Sequence, residues 1–415
     1  MADKKIRVGV VGLGLRGTAL TEAILCITTD IRIDYLCDVY EDRAQAVADT
    51  VNEKLGYKPI ITTDYHDILK DESIDAVMVY SAWESHIPIA IDTMKAGKYV
   101  AMEVGGAYTV KDCWDLVTVS EETGIPCMML ENCCYGKEEL MVHNMVRQGL
   151  FGEVVYCEGG YRHDLRSEIA HGKENRHYRL HNYKTRNCDN YPTHALGPIA
   201  KILDINRGNR MLSLCSVATK SAGLHDYIKK NASDNEELMN TKFAQGDVVT
   251  TLIRCARGEV IRLTLDTCLP RYYTRDFSVQ GTNGYYSEQA QALCLDGEPE
   301  LLDPEKILHS KKKYEDKYLS PTWQQYKITP PTGGHGGMDW LVHKAFFDCV
   351  RAKSKDMPID VYDAASWMVI TALSEASIAN GGAFVEIPDF TRGAWATRPT
   401  RDVEDFELSD KEMQI

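Results

Sequence analysis

Val8–Gly17 reads VGVVGLGLRG, and the first third of the chain is organised around it. The β-branched run before it, IRVGVVG, has the composition of a buried strand. Gly12, Gly14 and Gly17 then make G-x-G-x-x-G at the point where the strand gives way to a helix. In such a loop the first glycine permits the tight turn, the second lets backbone approach a pyrophosphate, and the third allows close helix packing. The helix N-terminus faces the phosphates. Such a loop alone is weak evidence. Asp38 strengthens it by closing the second strand, IRIDYLCD, about twenty residues further on, where a carboxylate accepts hydrogen bonds from an adenosine ribose. No arginine follows Asp38 at once to receive a 2′-phosphate. The pattern therefore predicts NAD rather than NADP, with FAD and S-adenosylmethionine as minor options.

Outward from this loop, IRIDYLCD, DAVMVYS, KYVAME and PCMML are separated by amphipathic stretches such as SHIPIAIDTMKAG. That rhythm predicts a doubly wound parallel sheet covered on both faces, over residues 1–132. From residue 133 the texture changes to longer strand-like segments, EVVYCEGGYRH, DVVTTLIRCARGEVIRLTLDT and RDFSVQGTNGYY, with RGE as a hairpin turn. Residues 133–415 are accordingly expected to form an α+β domain on a largely antiparallel open sheet. Its helices, MDWLVHKAFFDCVRAK and VYDAASWMVITALSEASIAN, are expected to pack back toward the first domain. LLDPEKILHSKKKYEDKYLSPTWQQYKITPPTGGHGG reads as an excursion over the surface.

The chain's 415 residues exceed what one hydrophobic core usually supports, in keeping with two domains. A net charge of -14 argues against nucleic acid or an anionic membrane as partner and favours a small molecule. No apolar run is long enough to span a bilayer, and the N-terminus lacks a leader's cleavage site, so a cytoplasmic location is expected. Thirteen cysteines without a C-x-x-C pair signal neither a zinc site nor a disulfide framework. Reduced, mostly buried thiols follow.

Glu103 closes the fifth strand and so projects at the carboxyl edge of the sheet, where ligands bind in such folds; its bland alternative is a helix cap. Gly105 and Gly106 behind it are read as leaving room for cofactor or substrate. His86 sits at a comparable edge one strand earlier, lining the cofactor pocket or simply capping. The cofactor-binding set expected is Gly12, Gly14, Leu15, Arg16, Gly17, Asp38, His86, Glu103 and Asn132.

In the second domain GGYRHDLR, ENRHYRLHNYKTRN, NYPTHALGP and PRYYTRDF gather arginine, histidine, tyrosine and asparagine, side chains that bond sugar hydroxyls and stack on sugar rings. Tyr161, Arg179, Tyr191, His194 and Tyr273 are the substrate-binding candidates. His163, Asp164, His177 and His181 lie within a short span, but no companion acid joins the His177/His181 pair on one helix face, so no metal is expected. Tyr191 and His194 are held on a proline-bracketed segment, with Pro198 suited to the first position of the helix PIAKIL. Packing at a helix entrance explains the helix but not two titratable side chains in front of it.

VGVVGLGLRG, the strand end MEV and the β-rich second domain resemble the glucose-fructose oxidoreductase and inositol dehydrogenase superfamily. More closely, CMMLENCCYGKEELMVHNMVRQGLFGEV, YRHDLR, HYRLHNYKTRNCDNYPTHALGPIAKILDINRGNRM and VQGTNG are similar to glycoside hydrolase family 109, over nearly the whole chain. The resemblance implies a tightly held NAD that is not consumed and α-N-acetylgalactosaminidase activity. It also implies catalytic positions at Glu103, Tyr191, His194 and Tyr273, with Tyr272 as the rival of Tyr273. A homo-oligomer, dimer or tetramer, is implied as well. The wider superfamily follows its glutamate with a lysine and a proline for sugar dehydrogenation. This chain reads EVGGAY, which weakens a plain dehydrogenase reading and suggests a looser loop. The implied route oxidises C3 of the sugar, removes the acidified C2 proton, expels the C1 oxygen, adds water and returns the hydride, with no net redox change.

Overall fold

The structure, a computed structural model, describes residues 5–26, 28–298, 303–327, 331 and 333–405. Its first sheet contains β1 (Ile6–Val11), β2 (Ile31–Cys37), β3 (Ile60–Thr62), β4 (Ala76–Val79), β5 (Tyr99–Met102) and β6 (Cys127–Met129). They run parallel in the order β3-β2-β1-β4-β5-β6. Every residue of β4 and β6 is buried, as expected of strands covered on both faces. The order reverses between β1 and β4, and the carboxyl ends there form the crevice in which such folds hold ligands.

The second sheet contains β7 (Val154–Arg162), β8 (Met211–Ala218), β9 (Val248–Cys255), β10 (Val260–Asp266), β11 (Ser278–Gly281), β12 (Gly284–Ser287), β13 (Ala292–Leu295) and β14 (Val385–Glu386). Its order is β13-β12-β11-β7-β10-β9-β8-β14, antiparallel throughout except for β7 beside β10. The RGE turn joins β9 to β10, with Gly258 at φ +107° where a side chain would be strained. One face carries the helix Thr193–Ile202, all ten residues of which are buried. A Cβ on Gly159 of β7 would lie 2.6 Å from the Ala195 Cβ, so the missing side chain lets this helix settle onto the sheet. The other face leaves Val155, Leu212, Val217 and Leu252 exposed.

The helix Val361–Ala379 is apolar nearly all round and buries Trp367 completely. It reaches back to the first domain, where Ala107 N–H donates to Met368 O at 3.1 Å, and the segment just before it accepts the Met129 N–H at Ile359 O, 3.3 Å away.

Two expectations change. The segment from 303 to 327 is packed, not draped over the surface. It forms the helices Pro304–Ile307, Lys312–Tyr318 and Pro321–Gln325, and buries Tyr314, Tyr318, Leu319, Trp323 and Tyr326. The Trp323 indole donates to Tyr135 O at 2.9 Å. The polar residues of this stretch concealed an i, i+4 tyrosine pair and a Ser320 cap followed by Pro321. Residues 301, 302, 328–330 and 332 of the same reading lie outside the described residues, as do 1–4 of the N-terminal one. Pro198 does not begin its helix either; Pro192 is the cap and Pro198 sits inside. His194 is thereby in the first turn, and its carbonyl lacks the amide that a non-proline residue at 198 would offer.

Candidate functional site

The glycine loop takes the shape that a nucleotide requires. Gly12 has φ +95°, and a Cβ there would meet the Ser81 backbone at 2.4 Å; a Cβ on Gly17 would meet Gly12 O at 1.9 Å. At Gly14 the nearest atom to such a Cβ is Arg43 Nη1 at 3.6 Å, so this glycine alone of the three faces open space. Asp38 Oδ2 accepts the Leu13 amide at 2.6 Å and Oδ1 the Tyr40 amide at 2.9 Å. These bonds aim the carboxylate and leave it further acceptor capacity for ribose hydroxyls. Leu15 is exposed at the start of the helix. The residues present fit a dinucleotide.

Arg16 is the centre of a charged cluster. Its Nε donates to Glu103 Oε1 at 2.9 Å with Nη2 2.8 Å from the same oxygen, and Nη1 and Nη2 make a fork to Asp339 Oδ2 and Oδ1, both at 2.7 Å. Asn132 Nδ2 donates to Asp339 Oδ1 at 2.7 Å, and His335 Nδ1 lies 2.8 Å from Oδ2. Burial pushes the Asp339 carboxyl up, but Arg16 and His335 outweigh burial and hold it well below the usual carboxylate range. Three expected cofactor residues, Arg16, Glu103 and Asn132, are thus gathered by one aspartate that the sequence did not single out. Glu103 caps no helix: its Oε2 accepts its neighbour Val104's amide, and the next helix, Val110–Thr123, has its own Thr109/Asp112 capping box.

The loop after Glu103 is tight, not loosened. A Cβ on Gly105 would lie 2.6 Å from the Trp83 indole, and one on Gly106 2.2 Å from the Thr371 hydroxyl. The space read as room for a ligand is filled by protein. His86 lies one turn into the helix Trp83–Lys95, its Nε2 2.8 Å from Ser81 O. Its buried Nδ1 has no partner among the described residues, and burial lowers the imidazole to about 4, so it is neutral.

Trp83 leads into the aromatic side. Its ring lies 4.7 Å from Tyr178 and 5.6 Å from Tyr191, with Arg179 5.0 Å above it. Tyr191 stands 4.4 Å from Tyr161 and 4.8 Å from His194. Tyr161 meets His194 at 5.7 Å and Tyr273 at 6.2 Å. Tyr273 also meets His163 at 5.1 Å, whereas Tyr272 points outward under Arg271. Arg179 pairs through Nε with Glu168 at 2.8 Å, while its buried Nη1 has no hydrogen-bond partner among the described residues. Burial, then the neighbouring Tyr161 and Glu103, push the Tyr191 phenol well above its ordinary value, so it stays a neutral donor.

Behind this cluster, His194 Nδ1 lies 2.8 Å from Oε1 of Glu131, which is fully buried and also accepts the Cys133 amide at 3.1 Å. Ligand atoms of Glu131, Cys133 and His194 fall within 4.8 Å of one another, among the described residues the one such group. Burial holds the Cys133 thiol well above its ordinary value, so it is no ready thiolate. His163, Asp164, His177 and His181 do not converge; Asp164 is taken by Arg166 at 2.7 Å. All thirteen cysteines are free. Sequence reasoning missed Asp339, Trp83 and Glu131. Only Glu131 had a signal, its place at the end of β6 beside Asn132.

A clasp joins the domains near the glycine loop. Arg176 makes a bidentate pair with Asp42 at 2.9 Å, and Arg43 donates to Asn175 O at 2.8 Å. The two guanidiniums pack against the Tyr40 ring at 4.4 and 4.9 Å.

Residues 135–397 match the family described as glycosyl hydrolase 109, C-terminal domain, and residues 6–130 match the oxidoreductase family with an NAD-binding Rossmann fold. The chain is 39% identical to a glycosyl hydrolase family 109 protein of Stenotrophomonas maltophilia, over 95% of this chain and 91% of that one. It is 38% identical to an alpha-N-acetylgalactosaminidase of Tannerella forsythia, over 96% and 88%. Among solved structures, a levoglucosan dehydrogenase in complex with NADH and levoglucosan superimposes with a TM-score of 0.69 at 16% identity, covering 93% of this chain and 100% of that one. An inositol dehydrogenase homolog from Azotobacter vinelandii complexed with NAD+ gives 0.67 at 14%, covering 92% and 98%. At those identities the likeness is one of fold. No helix among the described residues is long and apolar enough to cross a membrane.

Proposed function

We propose, from the premise that this chain belongs to glycosyl hydrolase family 109, that it removes terminal α-linked N-acetylgalactosamine from glycosides without net redox change. The chain is a glycosidase that uses NAD. The observation that carries the reading is the contact of Tyr161, Tyr191 and His194 with one another and, through Trp83, with the nucleotide-binding domain. Relatives named alpha-N-acetylgalactosaminidase, in Tannerella forsythia and in Shewanella oneidensis, supply the sugar.

NAD, when bound, supplies a reversible hydride acceptor that lets C3 of the ring pass through a ketone and so acidifies the C2 proton. His194 takes the proton of the C3 hydroxyl as the general base. Tyr191, a neutral phenol beside it, relays that proton; its raised value disfavours the rival role of C2 base. Glu103, already bonded to Arg16 and to the Val104 amide, accepts a sugar hydroxyl rather than donating to the leaving group. Tyr161, Arg179 and Tyr273 bind the ring. The family's glycoside is the partner, and copies of the chain associate through the uncovered face of the second sheet.

The test is incubation with 4-nitrophenyl α-N-acetylgalactosaminide, with nitrophenol and NADH absorbance followed together. Nitrophenol over many turnovers with no accumulating NADH is expected. NADH growing with no nitrophenol would make the protein a net sugar dehydrogenase.

A further inference from the structure

We propose that Glu131 is a positioning residue that fixes His194 as the tautomer with the proton on Nδ1, so that Nε2 is the atom that receives the proton of the substrate's C3 hydroxyl. The inference rests on the reading of His194 given above and names the atom and the device behind it.

Glu131 is fully buried, and its Oε1 lies 2.8 Å from His194 Nδ1. Burial pushes this carboxyl up, but His194 more than offsets that and the group is held below its ordinary value. An ionised carboxylate only accepts, so the hydrogen between them belongs to Nδ1. His194 Nε2 then carries the lone pair, and it has no partner among the described residues. The ring also meets Tyr161 and Tyr191 edge-on. The helix is shaped for this contact. Gly197 stands one turn beyond His194, and a Cβ there would lie 2.8 Å from Glu131 Cγ and 3.0 Å from Cys134 Sγ. Glu131 lies two residues beyond the last strand of the first sheet and His194 in a helix of the second domain, so the pair also ties the histidine to the end of that sheet.

When the C3 hydroxyl gives its proton to Nε2, its C–H gives a hydride to the nicotinamide and a C3=O double bond forms. The imidazolium so produced keeps its Nδ1–H on Glu131, and the proton returns to the C3 oxygen when the hydride returns.

The test uses the NAD-loaded full chain with 15N-labelled histidine, the His194 signals being identified by their loss in His194→Gln. The expected result is a proton on Nδ1 in the wild type and a mixture of tautomers in Glu131→Gln. Turnover should fall by about 10²-fold or more in Glu131→Gln, with KM nearly unchanged and partial recovery in Glu131→Asp. In a His194→Ala background Glu131→Gln should cost nothing further, because residues that act as a unit are non-additive. A proton on Nε2 in the wild type, or an equal loss in both backgrounds, would overturn the proposal. The tautomer measurement needs no substrate. If the protein oxidises sugar instead of releasing nitrophenol, the glycosidase reading fails while the Glu131 assignment is still read from the spectrum.

Discussion

Asp339 and Asp189 are both buried to within a few per cent, on the two sides of the crevice, yet they are held in opposite states. Asp339 meets a guanidinium fork, an amide and an imidazole, and stays ionised. Among the described residues Asp189, two residues before Tyr191, has no cation beside it and leaves Oδ2 unpartnered. Burial pushes it up to about 7, and the Tyr191 amide and Thr251 hydroxyl only partly oppose that. Burial is therefore not what sets the charge of this site; the partner is. The cofactor side is assembled by charges that satisfy one another. The substrate side is assembled by ring packing and leaves polar tips, among them Arg179 Nη1 and Trp83 Nε1, without partners among the described residues.

That contrast breaks hardest at Asp339. Asp339→Asn leaves Arg16 facing a neutral group and should lower stability by about 2–3 kcal/mol, the low end for a buried pair because Arg16 reaches solvent. Thermal unfolding measures it, and NAD affinity should fall in parallel. The sign with pH is fixed by the lowered value: the aspartate's contribution is present above its unfolded pKa of about 3.9 and is lost only as pH falls through the still lower folded value. The variant should lack that acid-side loss.

Gly105→Ala probes the seam between the two sides. The new methyl must displace the Trp83 indole, at a cost of about 1–2 kcal/mol as an overpacked core position. Because Trp83 packs on Tyr191 and Arg179, KM for the glycoside should rise while NAD stays bound; an unchanged KM would detach Trp83 from the substrate side.

Asp189 gives the smallest effect and the opposite sign. A raised carboxyl contributes stability that is full below about 3.9 and is lost as pH rises through its folded value, about 7. Between pH 6 and pH 8 the wild type should lose about 1 kcal/mol, and Asp189→Asn should flatten that slope. Unfolding curves at the two pH values decide it.

Much of this architecture was legible in the sequence. The G-x-G-x-x-G loop, the strand rhythm and Asp38 predicted the parallel sheet because each depends on local spacing, and the RGE turn predicted a hairpin for the same reason. The pairing of Tyr191 with His194 was legible too. Asp339 was not, because it lies 323 residues beyond Arg16 and nothing local marks it. Gly105 and Gly106 were misread for a related cause: whether a missing side chain makes room for a ligand or for Trp83 depends on what the rest of the chain brings there. The segment 303–327 was misread because its lysines and glutamates hid tyrosines that a helical period turns inward.

The clasp of Arg43 and Arg176 about Tyr40 has a mechanical consequence. One crossing of the chain would leave the two domains free to swing. Side-chain ties such as the Arg16–Asp339 fork, the Tyr108–Asn182 bond and the Arg176–Asp42 pair add to the backbone bonds between them, so the crevice is a braced joint rather than a hinge. Of these braces the Arg176–Asp42 pair is the most exposed and the most readily screened by salt. Raising ionic strength should therefore loosen this brace before the Arg16–Asp339 fork, whose aspartate is buried.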